Sequence, residues 1–357
     1  MNSKIIDIYY KIFKQIEQNG HSVITEKKFV DLVQKEAKID EEQIKEDLAD
    51  SKFLSIRETN KSTKLISTLK SELLEKQVVE QLIRLSKSFK KKKEFIKLTV
   101  KEMRLGKGKK PSEQQILAVN MSANNAISVI TGGPGTGKTT LILALVRALK
   151  SIELNIQLCA PTGKAAKRLG EATGLQKFKP STIHKYLQKV SDSSEKHFDV
   201  MIIDEASMID IVLLHNLLAT IPDGSQLILI GDKDQLPPIA LGQPFKDLIQ
   251  VLEIKPNLEQ NNQLISRSGL NGIVVAAYDI IKGIVPDKNF NLSKDNFEFI
   301  ECSNENLSNF VLDYYFLKLP KLLGVPFDKI KDEIQILTPQ RTGEAGLVNL
   351  NSLIQEK

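Results

Sequence analysis

Gly132-Gly-Pro-Gly-Thr-Gly-Lys-Thr139 decides the reading of this chain. The stretch fits the spacing G-x-x-x-x-G-K-[ST]. In 357 residues of ordinary composition such a match arises by chance on the order of once in a hundred sequences. Its flanks agree with it. Ile127-Ser-Val-Ile130 is a short apolar run ahead of the loop, and Thr140-Leu-Ile-Leu-Ala-Leu-Val-Arg-Ala-Leu149 behind it reads as a helix. In a strand–loop–helix of this kind, glycines let backbone N–H groups curl around phosphate oxygens, and the helix N-terminus adds positive potential. Gly132, Gly133, Pro134, Gly135, Thr136, Gly137, Lys138, Thr139 and Thr140 are therefore the candidate ATP-binding residues. Lys138 is expected to reach the β- and γ-phosphates, and Thr139 to offer its hydroxyl to Mg²⁺.

Outward from the loop, residues 112–255 alternate apolar runs with helical stretches. Ile127–Ile130, Ile156–Ala160, Val200–Ile203 and Leu227–Ile230 are short and rich in Ile and Val, as strands covered on both faces of a parallel sheet are. The fold class is thus α/β. Asp199-Val-Met-Ile-Ile-Asp-Glu-Ala-Ser207 sets Asp204 and Glu205 at the carboxyl end of one such strand, where open α/β sheets bind ligands. Asp204 is expected to hold Mg²⁺, and Glu205 to orient and deprotonate an attacking water. Gln235, in Leu229-Ile-Gly-Asp-Lys-Asp-Gln-Leu-Pro-Pro238, ends a third run; its uncharged amide suits a reporter of the γ-phosphate.

The first 110 residues read as a mainly helical domain, with residues 111–255 and 256–357 as the two that follow. Ile5, Ile8, Tyr9, Ile12, Phe13 and Ile16 recur at helical spacing. Two capped amphipathic stretches, opening at Thr25 and near Ile39, precede an extended segment at Phe53–Arg57, the pattern of a helix-turn-helix or winged helix. Residues 86–110 hold eleven Lys/Arg against two Asp/Glu in a chain whose net charge is +6, a basic linker or a surface for nucleic acid. Gly106-Lys-Gly-Lys-Lys-Pro111 marks the boundary. Apolar residues at 41% and charged residues at 26% describe an ordinary globular protein with cores. No apolar run approaches a membrane span, and MNSKIIDIYYKIFKQ lacks the marks of a secretory signal. Cys159 and Cys302 make neither a disulfide framework nor a zinc site, so the cytoplasm is the expected compartment. After residue 256 the sequence predicts a helix near Gly272–Ile281 and a strand at Ile334–Leu337.

In this order the motifs resemble those of superfamily 1 DNA helicases of the RecD type, the alpha subunit of exodeoxyribonuclease V and its stand-alone relatives. Ser112-Glu-Gln-Gln115 looks like their adenine-reading motif, with Gln115 the reader. Ala160-Pro-Thr-Gly-Lys-Ala-Ala-Lys-Arg-Leu169 and Ser181-Thr-Ile-His184 look like their single-strand DNA motifs, which gives Pro161, Thr162, Gly163, Lys164, Thr182 and His184 as DNA contacts. Ile336-Leu-Thr-Pro-Gln-Arg341 adds Thr338, Pro339 and Arg341. The resemblance covers roughly residues 112–357. It implies two RecA-like motor domains, the second partial, behind a small helical domain. It also implies ATP and Mg²⁺ as cofactors, 5′→3′ unwinding, and RecB- and RecC-like partners in recombinational repair.

Two departures stand out. Leu258-Glu-Gln-Asn-Asn-Gln263 carries Gln263 where the family has an arginine that stabilises γ-phosphate charge, with Arg267 four residues on. The later motifs of the second motor domain do not follow before Lys357. From these the chain as written is expected to be a weak ATPase. The alternative is a nucleotide-binding regulatory subunit that does not translocate.

Overall fold

The computed structural model describes residues 3–59, 62–90, 112–133, 135–173, 180–191, 198–251, 257–258, 271–286 and 296–356. Most of the basic stretch at 86–110, Pro134, Gln263 and Arg267 lie outside them. Residues 1–261 form one compact unit and residues 262–357 another.

The first unit opens with α1 (Ser3–Gln18), β1 (Ile24–Thr25), α2 (Glu26–Ala37), α3 (Glu41–Ala49), β2 (Leu54–Glu58) and β3 (Lys64–Thr68). The three strands pair antiparallel in the order β1-β3-β2, giving the winged-helix arrangement. Thr25 and Asp40 cap α2 and α3 by accepting from the N–H groups of Lys28 and Glu42, which satisfies donors that a helix start leaves free. Tyr9, Phe13 and Phe29 centre the small core, the first and last packed edge-on at 5.3 Å. The extended segment expected at Phe53–Arg57 is β2, and β3 is the hairpin partner the sequence reading did not single out.

Next comes α4 (Leu69–Ser88), capped by Thr68. Its Val78 and Leu85 are buried in the same core as the apolar face of α9 (Ile211–Leu218). Arg84 donates to the carbonyls of Leu218 and Ile221 at 3.1 and 2.9 Å and pairs with Asp223. The Ser88 hydroxyl accepts from the N–H of Gly224. A helix that begins in the winged-helix module is thereby fixed to the sheet domain.

That domain runs α5 (Glu113–Asn124), β4 (Ile127–Gly132), α6 (Lys138–Lys150), β5 (Ile156–Ala160), α7 (Gly163–Thr173), β6 (Ser181–Thr182), α8 (Ile183–Ser191), β7 (Val200–Ile203), then α9, β8 (Gln226–Gly231), α10 (Pro244–Val251) and β9 (Asn257–Leu258). All six strands are parallel, in the order β6-β5-β7-β8-β4-β9. The four predicted strands all appear. Their side chains alternate between two cores: Val129, Met201, Ile203 and Leu229 to one face, Ile130, Val200, Ile202 and Ile228 to the other. Burying an aliphatic side chain of this size is worth about 1.5–3 kcal/mol, so both faces drive sheet formation. β4 neighbours β8 rather than β5, its successor in sequence, so the carboxyl ends of β4, β8, β7 and β5 lie side by side.

The second unit contains α11 (Asn271–Ile281), α12 (Leu307–Asp313), a π-helical turn at Tyr314–Lys318, α13 (Leu319–Leu323), α14 (Ile330–Glu333) and α15 (Leu347–Gln355). The helix expected at Gly272–Ile281 is α11. The strand expected at Ile334–Leu337 is not formed: Ile334 is extended, but the run pairs with nothing among the described residues, and Leu337 is 84% exposed. Apolar residues alone do not make a strand without a ladder to join. Among the described residues no helix is long and apolar enough to cross a membrane.

Candidate nucleotide and DNA site

The phosphate-binding loop leaves β4 at Gly132 and enters α6 at Lys138. Gly137 closes it with φ +83°, a left-handed conformation that glycine takes without steric cost. A Cβ there would come within 2.8 Å of Gln115 Nε2. Gln115 is buried, and both ends of its amide are engaged. Its oxygen accepts from Ser112 N–H at 3.1 Å in a capping box, and its nitrogen donates to the Thr136 carbonyl at 3.5 Å. The expected adenine reader thus supports the loop from beneath. The Lys138 ammonium donates to the Gly132 and Gly133 carbonyls at 2.5 and 3.0 Å, and the Thr136 hydroxyl to Gly133 at 2.9 Å. Thr139 and Thr140 begin α6 just behind them.

Asp204 and Glu205 follow β7. Asp204 N–H donates to the Cys159 carbonyl, which extends the β5 ladder by one bond and fixes the turn. The Asp204 carboxylate accepts from Glu205 N–H at 2.9 Å. Burial pushes the Asp204 carboxyl above the ordinary aspartate value, and the Glu205 carboxylate adds to this. The Glu205 N–H, Lys138 and Arg168 act in the opposite direction. Glu205 stands at φ +54°, a strained conformation for a residue with a side chain, and one of its carboxylate oxygens is buried without a hydrogen-bond partner. Lys138, Thr139, Ala165, Arg168, Leu169, Asp204 and Glu205 line one small cavity of about 30 Å³.

The loop after β8 joins the same cluster. The Thr131 hydroxyl of β4 accepts from Lys233 N–H at 3.1 Å, and the Ser207 hydroxyl donates to Gln235 Oε1 at 3.4 Å. Gly231 lets these segments meet, since a Cβ there would fall 2.9 Å from Ser207 N and from the Phe245 ring. The three motifs, far apart in sequence, are thus tied together at the strand ends. The donors beside the phosphate loop, a threonine hydroxyl and an aspartate carboxylate, are hard oxygens of the kind Mg²⁺ takes together with phosphate and water.

Next to this cluster, β5 and β6 pair with Ala160 opposite Thr182. That register sets Pro161, Thr162, Gly163 and Lys164 beside Thr182 and His184. The hydroxyls of Thr162 and Thr182 cap α7 and α8, accepting from Ala165 and Lys185 N–H at 3.2 Å each. Among the described residues neither hydroxyl donates, so both protons are left for a ligand. Gly163, Lys164 and His184 are exposed. In the second unit, the Thr338 hydroxyl donates to the Ala345 carbonyl at 2.7 Å, Pro339 follows it, and Arg341 is exposed, its carbonyl accepting from Val348 N–H. The sequence reading missed Thr131, Ser207 and Arg168. Only Arg168 left a trace in the sequence: it shares a helical stripe with Ala165 and Leu169, one turn after Lys164.

Fold and site define a P-loop nucleotide-binding domain, and residues 115–241 match the family model described as AAA domain. Among relatives, the ATP-dependent RecD2 DNA helicase of Deinococcus radiodurans is 34% identical over 253 residues, 68% of this chain and 32% of that protein. The RecBCD enzyme subunit RecD of Buchnera aphidicola subsp. Schizaphis graminum is 38% identical over 172 residues, 41% of this chain and 28% of that protein. Among solved structures, the Pif1 helicase from Candida albicans is similar at 22% identity and a TM-score of 0.38, over 54% of this chain and 49% of that one. The chain belongs to the RecD-like group of superfamily 1 helicases. It spans about a third or less of the length of the curated relatives named here.

Proposed function

We propose that this chain is part of an ATP-driven motor on single-stranded DNA. The observation that carries the reading is the meeting of Lys138, Asp204, Glu205 and Gln235 at neighbouring strand ends, with the openings of α7 and α8 beside them. Gly132–Thr140 hold the triphosphate through backbone N–H groups, with Lys138 on the β- and γ-phosphates. Gln115 borders the base from behind the loop. Thr139 and Asp204 are the residues to hold Mg²⁺, which neutralises phosphate charge when bound. Glu205 takes a proton from water as the new oxygen–phosphorus bond forms. The bond from the γ-phosphorus to the bridging oxygen breaks, and its electron pair leaves with ADP. Gln235 senses the γ-phosphate and passes its state to Ser207.

Pro161–Lys164, Thr182 and His184 contact the strand in the first unit; for the second unit, Thr338, Pro339 and Arg341 are contacts by the family resemblance. Two helix N-termini and a lysine bond phosphate and are blind to base sequence, as a motor on any strand requires. Polarity of 5′→3′, RecB- and RecC-like partners, a place in recombinational repair and a cytoplasmic location rest on the family resemblance. The division into a helical domain at 1–110, a first motor domain at 111–255 and a partial second one at 256–357 rests on the sequence patterns, with the break at Gly106–Pro111, and on the resemblance for the two motor domains.

The test is ATP hydrolysis with and without single-stranded DNA in wild type, Lys138→Ala and Glu205→Gln. Lys138→Ala is expected to lose binding of a fluorescent ATP analogue with its circular dichroism unchanged. Glu205→Gln is expected to keep binding and lose most hydrolysis. Wild-type hydrolysis by Glu205→Gln would reject the base. Undiminished binding by Lys138→Ala would reject the site.

A further inference from the structure

Arg168 lies on α7 one turn beyond Lys164, and its side chain lines the small cavity shared by Lys138, Thr139, Asp204 and Glu205. It is exposed, and among the described residues it makes no hydrogen bond or ion pair. Glu205, which lines the same cavity, has a buried carboxylate oxygen with no donor among the described residues, on a backbone held at φ +54°. A buried acceptor without a donor is unfavourable, and for a carboxylate more so. A guanidinium that acts on Asp204 only through its charge, with no hydrogen bond among the described residues, thus lines the same cavity as an unsatisfied carboxylate. The guanidinium is a rigid planar fork of donors that stays charged at any working pH, so it fixes direction as well as supplying charge.

We propose that Arg168 is the positioning residue for Glu205: as the site closes on nucleotide, it donates to the carboxylate oxygen that the fold leaves without a partner, and so fixes how Glu205 meets the attacking water. This rests on the reading of Glu205 as the base. It adds a consequence for regulation. α7 is capped by Thr162 and opens with Gly163 and Lys164, the proposed phosphate contacts, and Arg168 follows Lys164 by about 6 Å along the helix axis. A strand seated at the start of α7 and the partner of Glu205 therefore move as one body. DNA can set the rate of hydrolysis through this helix without touching the nucleotide.

The test compares Arg168→Ala, Arg168→Lys, Glu205→Gln and the double variant Arg168→Ala/Glu205→Gln in the full chain. Single-turnover hydrolysis at saturating ATP, Mg²⁺ and single-stranded DNA reads slow rates. Arg168→Ala is expected to slow it by roughly 10- to 100-fold, a share of the 10²–10⁴-fold that general-base catalysis contributes. The ATP analogue should bind within about twofold of wild type and DNA within about threefold, if Arg168 touches neither. Arg168→Lys should recover part of the rate, and Arg168→Ala should add no further loss in the Glu205→Gln background. ADP with aluminium fluoride, which needs no turnover, should bind Arg168→Ala more than tenfold more weakly than wild type. Should Arg168→Ala not fold, Arg168→Gln takes its place in every arm.

An unchanged rate and an unchanged aluminium fluoride affinity would overturn the proposal. A parallel loss of ATP-analogue affinity would make Arg168 a phosphate contact, and a parallel loss of DNA affinity a strand contact; either also overturns it. So would losses that multiply in the double variant. If Glu205→Gln alone hydrolyses at the wild-type rate, the failure lies in the base assignment beneath it.

Discussion

Gly137→Ala probes whether the phosphate loop is held by its own backbone and by Gln115. An alanine at φ +83° has about 1–2 kcal/mol of steric cost. Its Cβ would also stand 2.8 Å from Gln115 Nε2. That amide has little room to retreat, because Gln115 is buried and its oxygen is held by Ser112 N–H at 3.1 Å. The bond most readily lost is the one to the Thr136 carbonyl, at 3.5 Å a long one worth about 0.5 kcal/mol. Together these come to about 2 kcal/mol. If the loop relaxes in the free protein and must regain this shape around phosphate, the cost falls on affinity, roughly 30-fold for ATP. If the loop is held throughout, it falls on unfolding. Titration with a fluorescent ATP analogue and urea unfolding, done together, should show losses that add to about 2 kcal/mol. Two controls divide that sum. Gly135→Ala has φ +75° with nothing within 4 Å of its Cβ, so it should cost the backbone part alone. In a Gln115→Ala background Gly137→Ala should lose its contact part. If affinity and stability both stay within about 0.5 kcal/mol of wild type, the loop geometry argued here is wrong.

We predict that Arg84→Ala lowers stability by about 2–3 kcal/mol, because it removes charge-assisted bonds to two backbone carbonyls and one carboxylate; an unshifted urea midpoint would mean that α4 does not brace the sheet domain. In the absence of nucleotide and Mg²⁺, Asp204→Asn should melt above wild type at pH 7. The raised carboxyl of Asp204 favours folding only while protonated, and that contribution is lost as pH rises from the ordinary aspartate value through the raised one. The gap should close towards pH 4, and equal melting temperatures at pH 7 would refute the burial argument. Burial pushes the Cys159 thiol up to about 11, so native protein at pH 8 should leave it unmodified by a thiol reagent that labels it fully in urea. Fast native labelling of Cys159 would show that β6 lifts away from β5.

Much of the first unit is written locally. Strand runs such as Val200–Ile203 are apolar at every position because both faces are covered, and composition alone reveals that. The caps at Thr25 and Asp40 are side chains acting on N–H groups two or three residues away, so they too are legible. The phosphate loop is a continuous stretch whose chemistry needs only its own backbone and the next helix. Other features had no such signal. The order β6-β5-β7-β8-β4-β9 is set by how helices of given length cross over the sheet, and no single stretch encodes it. β6 and β9 are two residues long and exist only because a neighbouring edge offers a ladder. Ile334–Leu337 shows the converse, a strand-like composition without that edge. Gln115 stands in the sequence as an adenine reader by resemblance, while the capping box with Ser112 and the contact with the Thr136 carbonyl, 21 residues away, appear only in the fold. Arg168 and Glu205 come from different strand–helix units, and only the packing of α7 on β5, which pairs with β7, sets them on one cavity. Sequence thus determined the parts whose partners lie within a helical turn or on the same strand. The tertiary structure decided which strand ends adjoin, because those contacts form between segments whose sequences carry no record of one another.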